Sequence, residues 1–223
     1  MTSVPRSHFH SLIPYIAVSF ANIALEYVHI DIGIAATKAL LMPALLYFMI
    51  TRTKQKPLWI IMALFFSWLG DLFLLKSMIP IRFMLGLGSF LLAHVCYISY
   101  FIKEIKISKK PFYNTFLWLV LLFWIAMMSV LLQHTGDFSL PVALYAAIIL
   151  TMLYLAITRK ESVTRSSFLW VLGGATLFVL SDSMIAFNKF VVEIPLARVL
   201  IMVTYLAGQA AIINGVSDAY KES

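Results

Sequence analysis

Residues 58–75 read LWIIMALFFSWLGDLFLL, and the only ionisable side chain in this stretch is Asp71. A helix of this length rises about 27 Å at 1.5 Å per residue, close to the roughly 30 Å of a bilayer's hydrocarbon core. The stretch therefore predicts a helix that crosses a membrane.

The rest of the chain repeats this pattern. Hydrophobic residues make up 62% of the 223 residues and charged residues 12%, against about 25% charged residues in a typical soluble domain. Because so much apolar surface cannot face water, we predict an all-α, polytopic membrane protein. A single integral membrane domain would cover 1–223, with eight transmembrane helices at about 12–28, 32–50, 58–75, 83–101, 112–132, 140–157, 168–187 and 197–217.

The Lys and Arg residues predict the orientation. Four lie in one set of alternate connections, namely Lys76, Arg82, Lys189 and Arg198. Twelve lie in the other set or at the chain ends, namely Arg6, Arg52, Lys54, Lys56, Lys103, Lys106, Lys109, Lys110, Arg159, Lys160, Arg165 and Lys221. Positive loops favour the cytoplasm, so both termini are expected there, which requires an even number of spans. In a bacterium the protein would lie in the inner (plasma) membrane, and its positive charge indicates topology rather than a nucleic-acid partner.

Several kinds of chemistry lack their sequence motifs. The chain has no Walker loop, no Gly-x-Ser-x-Gly, no His-Glu-x-x-His and no paired histidines. We therefore expect no metal site and no cofactor. The single cysteine, Cys96, excludes an internal disulfide. Small residues allow helix backbones to approach in lipid, which is the role expected for Gly86, Gly88, Gly173 and Gly174.

Ionisable groups inside the spans are the candidate functional residues, because charges in lipid are costly. Asp71, Asp182 and Lys38 stand out. Both aspartates lie about 20 Å from the cytoplasmic end of their helices, so they share a level where one cavity could collect them. Weaker candidates for the same cavity are His94, Tyr205, Gln209, Asn22 and Glu26.

Each candidate also has a structural interpretation. Either aspartate could clamp two helices through a hydrogen bond, and Lys38 could form a structural ion pair. His94 could be a buried core histidine, because it has no second ligand at metal spacing. Tyr205 and Gln209, one helical turn apart, could simply join helices.

Taken together, these residues and their spacing resemble the YhhN family of integral membrane proteins, whose characterised members are lysoplasmalogenases. The resemblance covers nearly the whole chain. Its landmarks are Thr37-Lys38 before Pro43, Gly70-Asp71, GLGSFLLAHVCY at 86–97, PVALY at 141–145, GATLFVLSDSMIA at 174–186 and TYLAGQ at 204–209.

The resemblance implies hydrolysis of the vinyl-ether bond of a lysoplasmalogen, a lysophospholipid within the bilayer. The products would be a fatty aldehyde and a glycerophospho-ethanolamine or -choline. Such a reaction needs a carboxylic acid that donates a proton and an anion beside the developing cation, as in glycosidases. Our hypothesis is that Lys38 keeps one aspartate ionised while the other stays protonated. His94, Tyr205 and Gln209, with Asn22 and Glu26, would orient water or the head group.

Three other functions remain open. A proton-coupled transporter of a small amphiphile would also use intramembrane Asp and Lys. An intramembrane aspartyl-type hydrolase is less favoured, because Trp68 stands where its Gly-x-Gly-Asp motif has glycine. A lipid-binding protein without turnover is the third. The sequence leaves the head group, the chain length, the proton-donating aspartate, the leaflet of access and the oligomeric state undetermined.

Overall fold

A computed structural model describes residues 8–53, 55–76, 78–105 and 112–219. Within these ranges the chain forms eight α-helices and no strand, which confirms the all-α prediction. The helices are α1 (Ile13–Val28), α2 (Asp31–Arg52), α3 (Leu58–Leu74), α4 (Pro80–Glu104), α5 (Phe112–Leu131), α6 (Ser139–Thr158), α7 (Arg165–Phe190) and α8 (Ala197–Ala219). Short 3-10 helices precede α1 and α6, and another follows α6.

The lengths and composition of the helices confirm a polytopic membrane protein. Six helical stretches of the described chain are long and apolar enough to cross a bilayer, namely α2, α4, α7 and α8, and α1 and α6 together with the 3-10 turns next to them. Helix α3 and the part of α5 from Thr115 to Leu131 are apolar but shorter. Helices α4 and α7 continue three residues beyond both predicted ends. The reason is that backbone hydrogen bonding does not stop where the apolar residues stop.

Most helices pack as antiparallel neighbours around a shared core. The pairs α7–α8 and α3–α4 make the most extensive contacts, and α4 packs on α6, α6 on α7, and α1 and α2 on α8. Helix α5 lies at the periphery against α6 and α7. Its buried residues Met127, Met128 and Leu131 join a second, smaller core with Val142 and Ala146. Helix α5 is therefore buried against the bundle mainly near its end.

Helices α2, α4, α6 and α8 finish at the same end of the bundle, called the basic end below. There Arg52 donates hydrogen bonds to Asn214 and Asp218 of α8. Arg159, which was counted as a loop charge, is instead 0% exposed. Its Nε donates to Glu104 at 2.7 Å and its Nη2 to Ser167 at 3.1 Å. Six of the twelve basic residues lie outside the described residues, namely Arg6, Lys54, Lys106, Lys109, Lys110 and Lys221. The cytoplasmic location of this end stays a prediction.

Two glycines set the spacing of α7 and α8. A Cβ atom on Gly174 would lie 2.7 Å from the Gly208 carbonyl oxygen, and one on Gly208 would lie 3.0 Å from the Gly174 carbonyl oxygen. The two backbones are therefore in direct contact, as small residues permit in membrane helices. The prediction that helix backbones approach closely at Gly88 and Gly173 was wrong, because an added Cβ there would meet nothing within 4 Å. These two glycines face away from neighbouring helices.

We expect Gly174→Ala to lower the stability of the bundle, because the new methyl group would push α7 from α8. Overpacking of this kind costs about 1–3 kcal/mol. Gly173→Ala is the matched control on the adjacent residue, and it should be neutral or stabilise by up to about 1 kcal/mol. Thermal unfolding of the purified variants in detergent measures both. Equal unfolding midpoints for the two variants would contradict this account of the interface.

Candidate active site

Three side chains from three helices, Asp182, Tyr145 and His94, lie next to one another, and we call them the Asp182 group. The Tyr145 hydroxyl of α6 donates a hydrogen bond of 2.5 Å to Oδ2 of Asp182 on α7. His94 Nε2 of α4 lies 3.8 Å from the same oxygen. His94 is completely buried, and neither of its ring nitrogens has a hydrogen-bond partner in the described part of the chain. The group thus holds one carboxyl in place and leaves hydrogen-bonding capacity beside it.

A narrow apolar cavity of about 40 Å³ opens next to the Asp182 group. Helices α4, α5, α6 and α7 supply most of its walls, including Phe83, Phe90, Met127 and Ile149. Asp182 is the one charged side chain among the described residues that line it. Such a cavity fits a hydrocarbon chain, with a single acidic group at its wall.

Asp71 belongs to a different polar network, between α3, α4 and α8. Its Oδ2 accepts a hydrogen bond of 2.9 Å from the Tyr205 hydroxyl. One turn away, Gln209 donates to Ser67 at 2.9 Å and accepts from Tyr97 at 2.6 Å. All five side chains are buried. Tyr205 and Gln209 therefore join helices, which is the structural role that the sequence allowed for them.

Aromatic rings separate the two aspartates. The ring of Tyr205, which bonds Asp71, lies 5.6 Å from the Phe90 ring and 5.4 Å from the Phe178 ring between centroids. Phe178 in turn lies 4.7 Å from His94 of the Asp182 group. Asp71 is not among the residues that line the cavity. The expectation of one shared pocket is wrong, because Asp71 points toward α8 and Asp182 toward α6.

Lys38 pairs with an acidic residue that was only a weaker candidate. Its Nζ lies 3.1 Å from Oε1 of Glu26, and the other oxygen of Glu26 lies 3.9 Å from Arg198 Nη1. The direct ion pair of Lys38 is with Glu26, but its charge also acts on Asp71, so the hypothesis that Lys38 holds an aspartate ionised stays a prediction. One turn along α1 from Glu26, Asn22 donates a hydrogen bond of 2.8 Å to Thr37. These contacts fasten α1 to α2.

Sequence reasoning did not assign Tyr145 to the site. Its signal was a phenol inside an otherwise apolar span, within the 141–145 motif. Because a tyrosine is normally uncharged, a search for charged residues within the spans does not select it. Metal ligation has no support here: among the described residues, no three His, Cys, Asp or Glu side chains come together.

Comparison with known proteins identifies the family of this chain. A sequence model of the YhhN family matches residues 33–216. The chain belongs to the YhhN family. No solved structure matches this YhhN protein.

Curated relatives of this YhhN protein carry the name lysoplasmalogenase. Human lysoplasmalogenase TMEM86B is 34% identical over 134 residues, which are 60% of this chain and 53% of the human protein. The pig protein of the same name is 32% identical over 143 residues, 64% of this chain and 57% of its own. The lysoplasmalogenase of Mycobacterium tuberculosis is 28% identical over 162 residues, 70% of this chain and 59% of its own. The chain thus spans little more than half the length of the relatives it matches.

A double-mutant cycle tests the partner of Lys38. Lys38→Met alone should destabilise the protein by about 3–5 kcal/mol, because it removes the 3.1 Å partner of the buried Glu26 carboxylate and leaves only the more distant Arg198. Glu26→Gln in the same chain should recover much of that loss. The control cycle combines Lys38→Met with Asp182→Asn, whose effects should add within about 0.5 kcal/mol. Unfolding in detergent gives the free energies of all six proteins in the two cycles, and a stronger coupling to Asp182 than to Glu26 would refute the assignment.

Proposed function

We propose that this YhhN protein is a hydrolase that cleaves the vinyl-ether bond of a lysoplasmalogen. One observation carries the proposal. The Asp182 carboxyl lies at the wall of an apolar cavity between membrane helices, in a chain similar to proteins named lysoplasmalogenase. A single-chain ether lipid could enter such a cavity without leaving the bilayer.

Hydrolysis of a vinyl ether requires an acid, a water molecule and an anion near the cationic intermediate. Proton transfer from an acid to the β-carbon of the vinyl group converts the double bond and the ether oxygen into an oxocarbenium ion. Water then adds to the α-carbon and loses a proton, giving a hemiacetal. Transfer of a proton to the glycerol oxygen breaks the carbon–oxygen bond and releases a fatty aldehyde. The net reaction consumes one water, and the acid is restored.

In this scheme Asp182 is the catalytic acid. Tyr145 donates a hydrogen bond to one carboxyl oxygen, which fixes the orientation of the carboxyl group and leaves the other oxygen for the substrate. Proton donors of this type in other enzymes are also carboxyls in apolar surroundings. Once the proton has left, the Asp182 carboxylate is the anion beside the oxocarbenium ion. One aspartate can therefore meet both requirements in succession.

His94 does not itself line the cavity, but its Nε2 faces Asp182, which does, so His94 is suited to hold the attacking water. The gap of 3.8 Å between its Nε2 and Asp182 Oδ2 is longer than a direct hydrogen bond. Separations of this size are commonly bridged by water. A water bound by both groups would lie beside the vinyl ether and could pass its proton to either of them. Phe90, which lines the cavity, adds an aromatic ring that can stabilise a neighbouring cation.

Asp71 and Lys38 receive positioning roles in this proposal. Asp71 holds Tyr205, whose ring packs against Phe90 at the cavity wall. Lys38 neutralises Glu26 and keeps α1 against α2. Neither residue lines the cavity, so each would affect the reaction through the shape of the site.

The test is an assay of purified protein with lysoplasmalogen in detergent, with detection of the aldehyde. Asp182→Asn should lower kcat by about 10²–10⁴-fold, the usual contribution of a general acid. Asp71→Asn should cause a smaller loss, because Asp71 does not reach the substrate. Asp137→Asn, in the exposed 3-10 helix Gly136–Phe138, is the matched control and should retain full activity.

Two results would overturn the scheme. A folded Asp182→Asn protein with unchanged turnover would exclude Asp182 as the acid. Absence of aldehyde with the native protein, together with gradient-driven flux of an amphiphile in proteoliposomes, would favour a transporter instead.

A further inference from the structure

Helix α5 separates from the bundle along most of its length. Between residues 115 and 131 its buried side chains are Met127, Met128 and Leu131, all within the last turn and a half. The preceding turns keep large apolar side chains exposed, with Trp118 at 70%. The α5–α6 pair is thus closed near the end of α5 and open before it.

The open part forms an apolar groove of about 250 Å³ between α5 and α6. Its walls include Leu117, Leu121 and Trp124 of α5 and Ala147 and Leu150 of α6. No charged side chain of the described chain lines it, and the hydroxyl of Thr151 in its wall bonds to its own helix at Ala147. The groove therefore suits a hydrocarbon chain, and besides Thr151 its walls include the hydroxyl of Tyr154.

The groove and the Asp182 cavity adjoin along the same two helices. On α5, Met127 lines the cavity and Trp124, one turn earlier, lines the groove. On α6, Ala146 lines the cavity and its neighbour Ala147 lines the groove. Trp124 packs against both hydrophobic cores, and its buried indole N–H has no hydrogen-bond partner in the described part of the chain. Trp124 thus occupies the junction of the two spaces.

We infer that the α5–α6 seam binds the single hydrocarbon chain of the lysolipid, which passes from the Asp182 cavity beside Trp124 into the groove. Trp124 and Ala147 then determine which chains fit. This inference rests on the proposed function, because the cavity holds the reacting bond only if Asp182 is catalytic. Its occupant is one alkyl or alkenyl chain, and the head group lies toward the end of the bundle opposite the basic end.

The dimensions agree with that occupant. Tyr145, which bonds Asp182, and Tyr154, which lines the groove, are nine residues apart on α6, or about 13.5 Å along the helix. Half of the roughly 30 Å hydrocarbon core, the depth that one lipid chain fills, is about 15 Å. The seam beyond the reacting bond thus has the length of one lipid chain.

The first test measures kcat/KM for lysoplasmalogens with chains from octyl to octadecyl. Ala147→Trp fills the groove, so substrates should lose about fourfold in kcat/KM for each methylene excluded, and the loss should grow with chain length and be smallest for octyl substrates. Ala126→Trp places the same side chain on an exposed position of α5 and is the matched control. Trp124→Ala should raise kcat/KM for methyl-branched chains, whereas Trp118→Ala should not.

The second test reports binding without turnover. A lysophosphatidylcholine with an ester-linked chain that is brominated near its middle has no vinyl ether and quenches nearby tryptophan fluorescence. The wild-type protein should show saturable quenching, which Trp124→Phe removes and Trp118→Phe keeps.

The two hypotheses fail in different ways. If the native protein releases no aldehyde but Trp124 is quenched, the hydrolase proposal fails and the chain site stands. If the protein hydrolyses lysoplasmalogen, yet Ala147→Trp and Ala126→Trp share one chain-length profile and Trp124→Phe keeps the saturable quenching, the chain site is refuted.

Discussion

A carboxyl group at the depth of the lipid chains cannot rely on water, and this constraint governs the arrangement of the bundle. Each of four acidic side chains is held by a donor from another segment of the chain, in the pairs Glu26–Lys38, Asp71–Tyr205, Glu104–Arg159 and Asp182–Tyr145. These pairs link α1 to α2, α3 to α8, α4 to the end of α6, and α7 to α6. The packing of the helices and the polar contacts therefore specify the same fold.

The fold could be predicted because the length of an apolar stretch reports directly on the thickness of lipid. The stretch at 168–187 lies within α7 (Arg165–Phe190), and the other seven match their helices as closely. The prediction failed where a charge did not face water. Arg159 follows an apolar stretch like any loop residue, yet it is buried against Glu104. Hydropathy records where a basic residue occurs along the chain and not which way its side chain turns.

The candidate site was only partly predictable for a related reason. Charge in lipid identified Asp71, Asp182 and Lys38, and helical rise gave their depths. Which neighbour each residue faces depends on the rotation of the helices about their axes, which the close approach of Gly174 and Gly208 helps to set. The partner of each of these side chains is therefore determined by how the helices assemble and cannot be predicted from the sequence of one helix.

The buried pair of Arg159 and Glu104 also bears on how the bundle is built during synthesis. Glu104 ends α4 and emerges from the ribosome well before Arg159, which follows α6. Neither charge can be withdrawn from water at tolerable cost until the other is present. When α4 is first inserted, Glu104 therefore has its donor within the same helix, Tyr100, but not yet Arg159. The contact that joins α4 to the end of α6 forms only after the sixth helix has been made.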